Sequence, residues 1–311
     1  MTNEPIFLDI DTPHTSGPLP YFRVGDIKAY QLSEFDALPL PTFFFPQIHE
    51  HPLDPDAWYT QPPHQLNGRL RLNQQSHLLD TPEGWVIIDA AGGNEKVRAG
   101  GGAMHNQHRP WLEQLALVGI GPEDISYLVF THLHGDHVGF ATALAQDGAW
   151  RATFPNARYK LAQPEWDYWT SRGAIDRLGR TGDYISDSIR PLGPLGVLDL
   201  VPADAQITES IRFRPAFGHT PGNVTIEVTS GGATALFIGD LIHNALQFAH
   251  PDWSTALCVD GAQAAKVRLA TLNEVADTDT ILVPEHLPWP SGVHVLRDGD
   301  AFRFDYVKDE R

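Results

Sequence analysis

Only one cysteine, Cys258, occurs among 311 residues, so no disulfide can form within the chain. Basic residues are also scarce. Lys and Arg number 22 against 39 Asp and Glu, a formal net charge of −17. Phosphate binding needs clustered Lys and Arg, so nucleic acid and anionic membrane are not expected partners. No apolar run approaches the roughly 20 residues that span a bilayer. The start, Met1-Thr2-Asn3-Glu4-Pro5, lacks the basic and apolar segments of a secretory signal, which makes the cytoplasm the expected location. What remains is ordinary for a globular protein: 20% charged and 42% hydrophobic residues are too apolar for disorder. The 25 prolines and 27 glycines suggest long, structured loops. With no repeat at solenoid periods and no break in composition, residues 1–311 are expected to form a single domain, with 1–65 as an N-terminal extension packing on it.

The densest chemistry lies in Thr131-His132-Leu133-His134-Gly135-Asp136-His137-Val138-Gly139, with three imidazoles and a carboxylate within six positions. The run Ile125-Ser126-Tyr127-Leu128-Val129-Phe130 before it reads as a buried strand. Phe140-Ala141-Thr142-Ala143-Leu144 after it opens a helical pattern. The loop at a strand end is where layered α/β proteins place ligand sites. Buried imidazoles and carboxylates must be paired, protonated or metal-bound, and four so close together favour a metal.

Other elements are legible at lower resolution. Asp26–Leu32 reads as a strand, and Phe43-Phe44-Phe45 between prolines as a plug under the core or a rim over a pocket. Residues 68–91 form a hairpin whose last strand ends at Asp89, either a carboxylate behind the loop or a turn former. An amphipathic helix is expected over roughly 107–118, with His105 and His108 at its start as surface residues. Ala157–Leu161 reads as a strand and Pro164–Trp169 as a helix start, followed by an irregular excursion over 171–196. Strands are expected over 211–214, 223–228, 233–238 and 280–283, a helix over 260–276, and a terminal hairpin over 292–304. Three of these strands end in further candidate ligands: His219 after the first, Asp240 after 238 and His286 after 283. The inventory is then His132, His134, Asp136, His137, His219, Asp240 and His286, which suits two borderline cations with room for water.

At this point the sequence resembles the metallo-β-lactamase superfamily, whose hallmark is His-x-His-x-Asp-His followed by isolated His, Asp and His ligands. The likeness covers about residues 68–290. It implies an α/β fold, the αβ/βα sandwich of two mixed β-sheets flanked by helices, with the site at one edge. It also implies that His132, His134 and His219 hold one metal, that Asp136, His137 and His286 hold a second, and that Asp240 bridges them. The implied cofactors are two divalent ions, zinc first, with manganese, cobalt or iron as alternatives. Cys258 is displaced from the place where some relatives carry a ligating cysteine, and is expected to be a bystander. Phe217-Gly218-His219-Thr220-Pro221-Gly222 and Gly239-Asp240-Leu241-Ile242-His243-Asn244 look most like the acyl-homoserine lactonase and methyl parathion hydrolase-like branch.

The function implied is that of a dinuclear metallo-hydrolase. Two metals about 3.5–4 Å apart hold a bridging hydroxide, which attacks a lactone, ester or phosphotriester. Asp136 is the expected catalytic residue, orienting the water or passing its proton to the leaving group. Lactonase or esterase activity is the first expectation. A phosphotriesterase acting on organophosphates, a β-lactamase-like amidase, and a di-iron redox protein are the alternatives, the last needing a flavin domain that is not apparent. Aromatic residues on nearby loops (Trp166, Tyr168, Trp169, Trp253, Trp289 and Phe248) suggest a largely apolar or aromatic small-molecule substrate. From these, Trp169, Trp253 and Trp289 are expected to touch it, together with His243, three residues past Asp240. A homodimer is the oligomer considered.

Overall fold

Residues rich in Val, Ile and aromatic side chains line up in two sheets in a computed structural model that describes residues 7–12, 15–98, 102–171, 174 and 182–310. The larger contains β1 (Phe7–Asp11), β2 (Tyr21–Val24), β3 (Ile27–Pro39), β4 (Leu72–Thr81), β5 (Gly84–Ile88), β6 (Ile125–Val129), β7 (Arg158–Ala162) and β8 (Leu198–Val201). Their order is β1-β3-β4-β5-β6-β7-β8, with β2 also paired to β3. The smaller runs in chain order through β9 (Ile211–Pro215), β10 (Val224–Ser230), β11 (Ala233–Gly239), β12 (Ile281–Pro284), β13 (Val293–Asp298) and β14 (Ala301–Tyr306). Four helices matter below: α1 (Gly135–Val138), α2 (Gln163–Trp169), α3 (Tyr184–Ser188) and α4 (Gly261–Val275).

Both sheets are mixed. β5 to β8 run parallel, as do β11 and β12, and the remaining neighbours are antiparallel. Between the sheets, Val86, Ile88 and Val129 meet Phe213, Ile226 and Phe237. A second cluster covers the outer face of the larger sheet, where Trp111 stacks on Phe140 at 4.5 Å. A third joins Leu272 and Val275 of α4 to Phe44, Phe45 and Ile238 on the outer face of the smaller one. Three apolar layers between four layers of structure make the αβ/βα sandwich. Parallel neighbours deliver their C-terminal ends to one edge, so β5, β6 and β7, and likewise β11 and β12, each release a loop at the same side.

Several boundaries differ from those expected. The helix falls on the histidine motif itself, as α1, while Thr142–Leu144 is a short strand. The reason lies in a loop that the motif touches. Gly139 N and Phe140 N donate to Ala91 O and Ala90 O, each at 2.7 Å, which takes them out of any continuing helix. A Cβ on Gly139 would stand 1.9 Å from Gly92 O, so only glycine permits that approach. The helix expected over 107–118 is a 3-10 turn limited to Leu112–Val118, because Pro110 disfavours a helical residue before it. His105 uses its Nδ1 to accept from Arg98 N at 3.0 Å. The Asp26–Leu32 strand extends to Pro39, and of the triple Phe, 44 and 45 are buried while Phe43 is exposed. Part of the 171–196 excursion, residues 172, 173 and 175–181, lies outside the described residues.

The segment expected as an N-terminal extension supplies β1, β2 and β3 to the larger sheet, and β3 pairs along β4. The register of that pairing shifts between Ser33 and Phe35. There, buried Glu34 accepts from Gly92 N at 2.7 Å and faces Arg109 at 3.8 Å. Burial pushes its carboxyl up to about 7, against the opposing pull of Gly92 N–H and Arg109. A raised acid in the folded state stabilises most below its unfolded pKa, and that contribution fades as pH rises through about 7. Glu34→Gln should therefore gain about 2–3 kcal/mol on the wild type between pH 5 and pH 8. Denaturant unfolding at both pH values checks this; parallel pH profiles would remove Glu34 as the cause.

Candidate metal centre

After β6 the chain runs through Thr131 to His134, which caps α1 in an extended conformation at φ −81° and ψ 160°. Asp89, at the end of neighbouring β5, fixes this turn. Its carboxylate accepts from Thr131 N at 2.8 Å and from Thr131 Oγ1 at 2.6 Å. The same carboxylate lies 2.8 Å from His137 Nδ1. Three more rings have the outer nitrogen on a fixed partner: His132 Nδ1 on Thr131 Oγ1 at 3.0 Å, His286 Nδ1 on Asn73 O at 2.9 Å, and His219 Nδ1 on Cys258 Sγ at 3.4 Å. An outer hydrogen bond sets both the tautomer and the aim of an imidazole. His134 is turned the other way, its Nδ1 facing His132 Nε2 at 3.1 Å and His219 Nε2 at 2.9 Å.

Asp240 stands at the centre, where β11 ends. Its Oδ2 lies 3.1 Å from both His219 Nε2 and His243 Nε2, and 3.6 Å from His132 Nε2. Its Oδ1 lies 2.8 Å from His286 Nε2 and 3.1 Å from His137 Nε2. Burial pushes this carboxyl up, but the imidazoles of His286, His137, His243 and His219 outweigh it and hold the group well below the carboxylate range. Burial pulls His132 and His134 well down, and neighbouring imidazoles add to that. His137 goes the other way: burial is overcome by the Asp240 and Asp89 carboxylates. Asp136 completes the group, its oxygens 3.9 Å from His137 Nε2 and 3.8 Å from His286 Nε2, with its side chain 22% exposed.

All seven expected ligand residues are thus brought together, in two sets whose donor atoms lie within 4.8 Å of one another: His132, His134, His219 and Asp240, and Asp136, His137 and His286. Among them His137 Nε2 and Asp240 Oδ1 are buried without a hydrogen-bond partner, although only 3.1 Å apart. Buried polar atoms left orphaned so close together are what a cation would satisfy. Nitrogen and carboxylate donors without a thiolate fit zinc, manganese, cobalt or iron.

The residues expected to touch substrate divide. His243 is 1% exposed, between His219 and His286, with neither ring nitrogen hydrogen-bonded. Trp169 sets its ring 5.4 Å from His134. Trp253 and Trp289 are not brought into the cluster: Trp253 stacks on His250 at 4.4 Å, and Trp289 packs on Phe22 with its Nε1 donating to Asp309. Phe248 belongs to the outer core. Cys258 is no bystander, since its sulfur meets His219. Sequence reasoning also missed Phe44, whose ring lies 5.4 Å from His243, and Glu165. Buried Glu165 accepts four bonds, from Leu133 N at 2.9 Å, Trp169 Nε1 at 2.6 Å, Thr220 Oγ1 at 2.7 Å and Gly222 N at 2.9 Å. It ties the loops of His134 and His219 together, and nothing local in the sequence marks it.

Five imidazoles and two carboxylates converge at one edge of the α/β sandwich, the arrangement of a candidate two-metal protein. The chain belongs to the metallo-beta-lactamase superfamily, whose model matches residues 69–295. An N-acyl homoserine lactonase from Bacillus sp. is 25% identical over 178 residues, 52% of this chain and 61% of that relative. The solved hydrolase AbOPH of the beta lactamase superfamily superposes with a TM-score of 0.76 at 20% identity, covering 95% of this chain and 100% of that one. AidC, a dizinc quorum-quenching lactonase solved with a product, gives a TM-score of 0.71 at 20% identity over 94% and 98% of the two chains. At such identities the structural likeness speaks for the fold. No helix among the described residues is long and apolar enough to cross a membrane.

Glu165→Ala leaves four donors without their acceptor and should cost about 3 kcal/mol or more of unfolding free energy. Urea denaturation measures it; a loss under about 1 kcal/mol would mean the carboxylate does not hold the two loops.

Proposed function

We propose that this protein is a dinuclear metal-dependent hydrolase of lactones and esters. One observation carries the reading: the two oxygens of Asp240 face different ligand sets, Oδ2 toward His219 and His132 and Oδ1 toward His286 and His137. In this reading His132, His134 and His219 hold one cation, Asp136, His137 and His286 the other, and Asp240 bridges. Zinc is the proposed metal, with manganese, cobalt and iron compatible with the same donors. When bound, such a pair supplies Lewis acidity and brings the pKa of water toward roughly 7.

The chain's own groups divide the remaining work. Asp136 is the carboxylate of the cluster whose side chain reaches solvent, at 22% exposure against 3% for Asp240. It is therefore the group placed to orient the attacking water and to pass a proton to the leaving oxygen. His243 turns an unpartnered Nε2 toward the centre beside Asp240 and is the proposed donor to the substrate's carbonyl oxygen. Trp169 beside His134 and Phe44 beside His243 give apolar walls, which favour an acyl chain or aryl group over a charged metabolite. The lactonases among the relatives support a lactone before a phosphotriester.

The direct test is metal analysis together with turnover of an acyl-homoserine lactone, a p-nitrophenyl ester, paraoxon and a β-lactam. Two metals per chain with lactone or ester turnover dominant is the expected result. Hydrolysis of none of the four sinks the reading, and a stoichiometric flavin would turn it toward redox chemistry. Asp240→Ala should lose metal together with activity, since one carboxylate serves both cations; retention of both metals with slight loss of turnover would remove Asp240 as the bridge. Asp136→Asn should keep at least one metal and lose most turnover, by about 10²-fold or more for a proton-transfer group. Near-normal rates would take Asp136 out of the mechanism.

A further inference from the structure

Behind the strand that holds His286 lies a cavity that the proposed reaction does not use. It encloses about 200 Å³ where Arg71 and Asn73 at the start of β4, Gln31 and Ser33 of β3, and the loop after His286 come together. Pockets for drug-sized ligands measure roughly 300–1,000 Å³, so the occupant of this one is small. None of the seven candidate metal donors lines it. Asn73 nevertheless connects the two places. Its main chain accepts from His286 Nδ1 at 2.9 Å and donates to His286 O at 3.0 Å, and the same residue lines the cavity.

Two nitrogens of the lining are uncommitted. Thr12 Oγ1 and Ser33 Oγ lie 2.8 Å apart, and Ser33 donates onward to Asn73 Oδ1 at 3.3 Å. That bond turns the Asn73 amide nitrogen away from both hydroxyls, and Nδ2 has no partner among the described residues. Asn73 is only 4% exposed, yet Nδ2 is not one of the sealed polar atoms, so its opening is onto this cavity. Arg71 gives Nε and Nη2 to a single oxygen of Asp36, at 2.7 Å and 2.6 Å, which leaves Nη1 over. Asp36 is 2% exposed and does not line the cavity, so the charge presented there is that of the guanidinium. Positively charged donors call for an oxyanion. The remaining wall is apolar, made by Pro63, Pro288 and Trp289. The Trp289 indole N–H is spent on Asp309 at 2.8 Å, so its ring is what that wall offers. A carboxylate with a short apolar tail matches a charged end beside an apolar flank, and phosphate, polar on every side, does not.

We propose that this cavity is a second binding site, apart from the metal centre, for a small carboxylate with a short apolar tail, held by Arg71 and Asn73 against Trp289. The test needs no turnover and so stands whether or not the hydrolase reading holds. The indole N–H signal of Trp289, identified by its loss in Trp289→Phe, is followed in nuclear magnetic resonance spectra of the metal-loaded protein. Sodium butanoate, its neutral analogue butanamide and inorganic phosphate are titrated in turn at constant ionic strength. A saturable shift with butanoate is expected, with butanamide binding about tenfold more weakly or not at all, since it lacks the charge. No saturable shift, an equal response to butanamide, or tighter binding of phosphate overturns the proposal. Two variants then locate the site. Asn73→Leu removes the amide, and Arg71→Gln combined with Asp36→Asn removes the guanidinium without leaving a buried carboxylate unpaired. Each should weaken butanoate by about tenfold or more. Wild-type affinity in both overturns the proposal, because butanoate held only at the metal centre would pass both variants unaffected. If neither variant folds, the comparison of butanoate with butanamide on the wild type still decides.

Discussion

The buried carboxylate of Asp240 is the constraint around which the structure is arranged. A carboxylate taken out of water is costly unless it is met by opposite charge or donors, and here imidazoles close on it from two sheets. His132 and His137 come from the end of β6, His286 from the end of β12, and His219 from the turn before β10. The fold satisfies that demand by releasing these loops at one edge. Two parallel sets of strands, one in each sheet, place their C-terminal ends there.

Aim matters as much as arrival. Four of the five imidazoles that present Nε2 to Asp240 have the far nitrogen held, by Asp89, by Thr131, by the carbonyl of Asn73, and by the sulfur of Cys258, and His243 is the exception. The Asn73 contact is itself reinforced. Asn73 N donates to His286 O at 3.0 Å, and Gln75, the next residue but one along β4, donates to the carbonyls of Glu285 and Leu287 on either side of His286. Glu165 does for the His134 and His219 loops what Gln75 does for His286. The inner ring of donors is polar and the outer ring that directs it is polar as well, yet the whole sits among apolar layers. That combination gives directed, weakly screened groups.

What the sequence discloses follows from how local the signal is. The His132 to His137 cluster is six residues long and announces itself, and His219, Asp240 and His286 could be picked out because each follows a strand that reads clearly. The αβ/βα sandwich comes from family likeness and not from periodicity. Glu165 was invisible because its partners, Leu133 and Gly222, lie 32 and 57 residues away. Cys258 was set aside for the same reason, since only the folded chain brings it to His219 across 39 residues. The helix expected after Gly139 failed where a tertiary contact, the amides of Gly139 and Phe140 on the 90–91 loop, overrode a local pattern. Trp253 and Trp289 were expected at the site because they lie near ligands in sequence, and their rings pack elsewhere.

The pairing of β3 with β4 changes what the first 65 residues mean. β3 is 13 residues long and covers the flank of β4, the strand whose Asn73 and Gln75 hold His286. Cut away at residue 65, the remaining chain would carry β4 as a bare sheet edge, with its unpaired amides and carbonyls open to water or to another chain. The boundary of the family likeness, near residue 69, is thus a boundary of sequence kinship and not of the structure. One strand that lies wholly before it shields the strand on which the second set of donors depends.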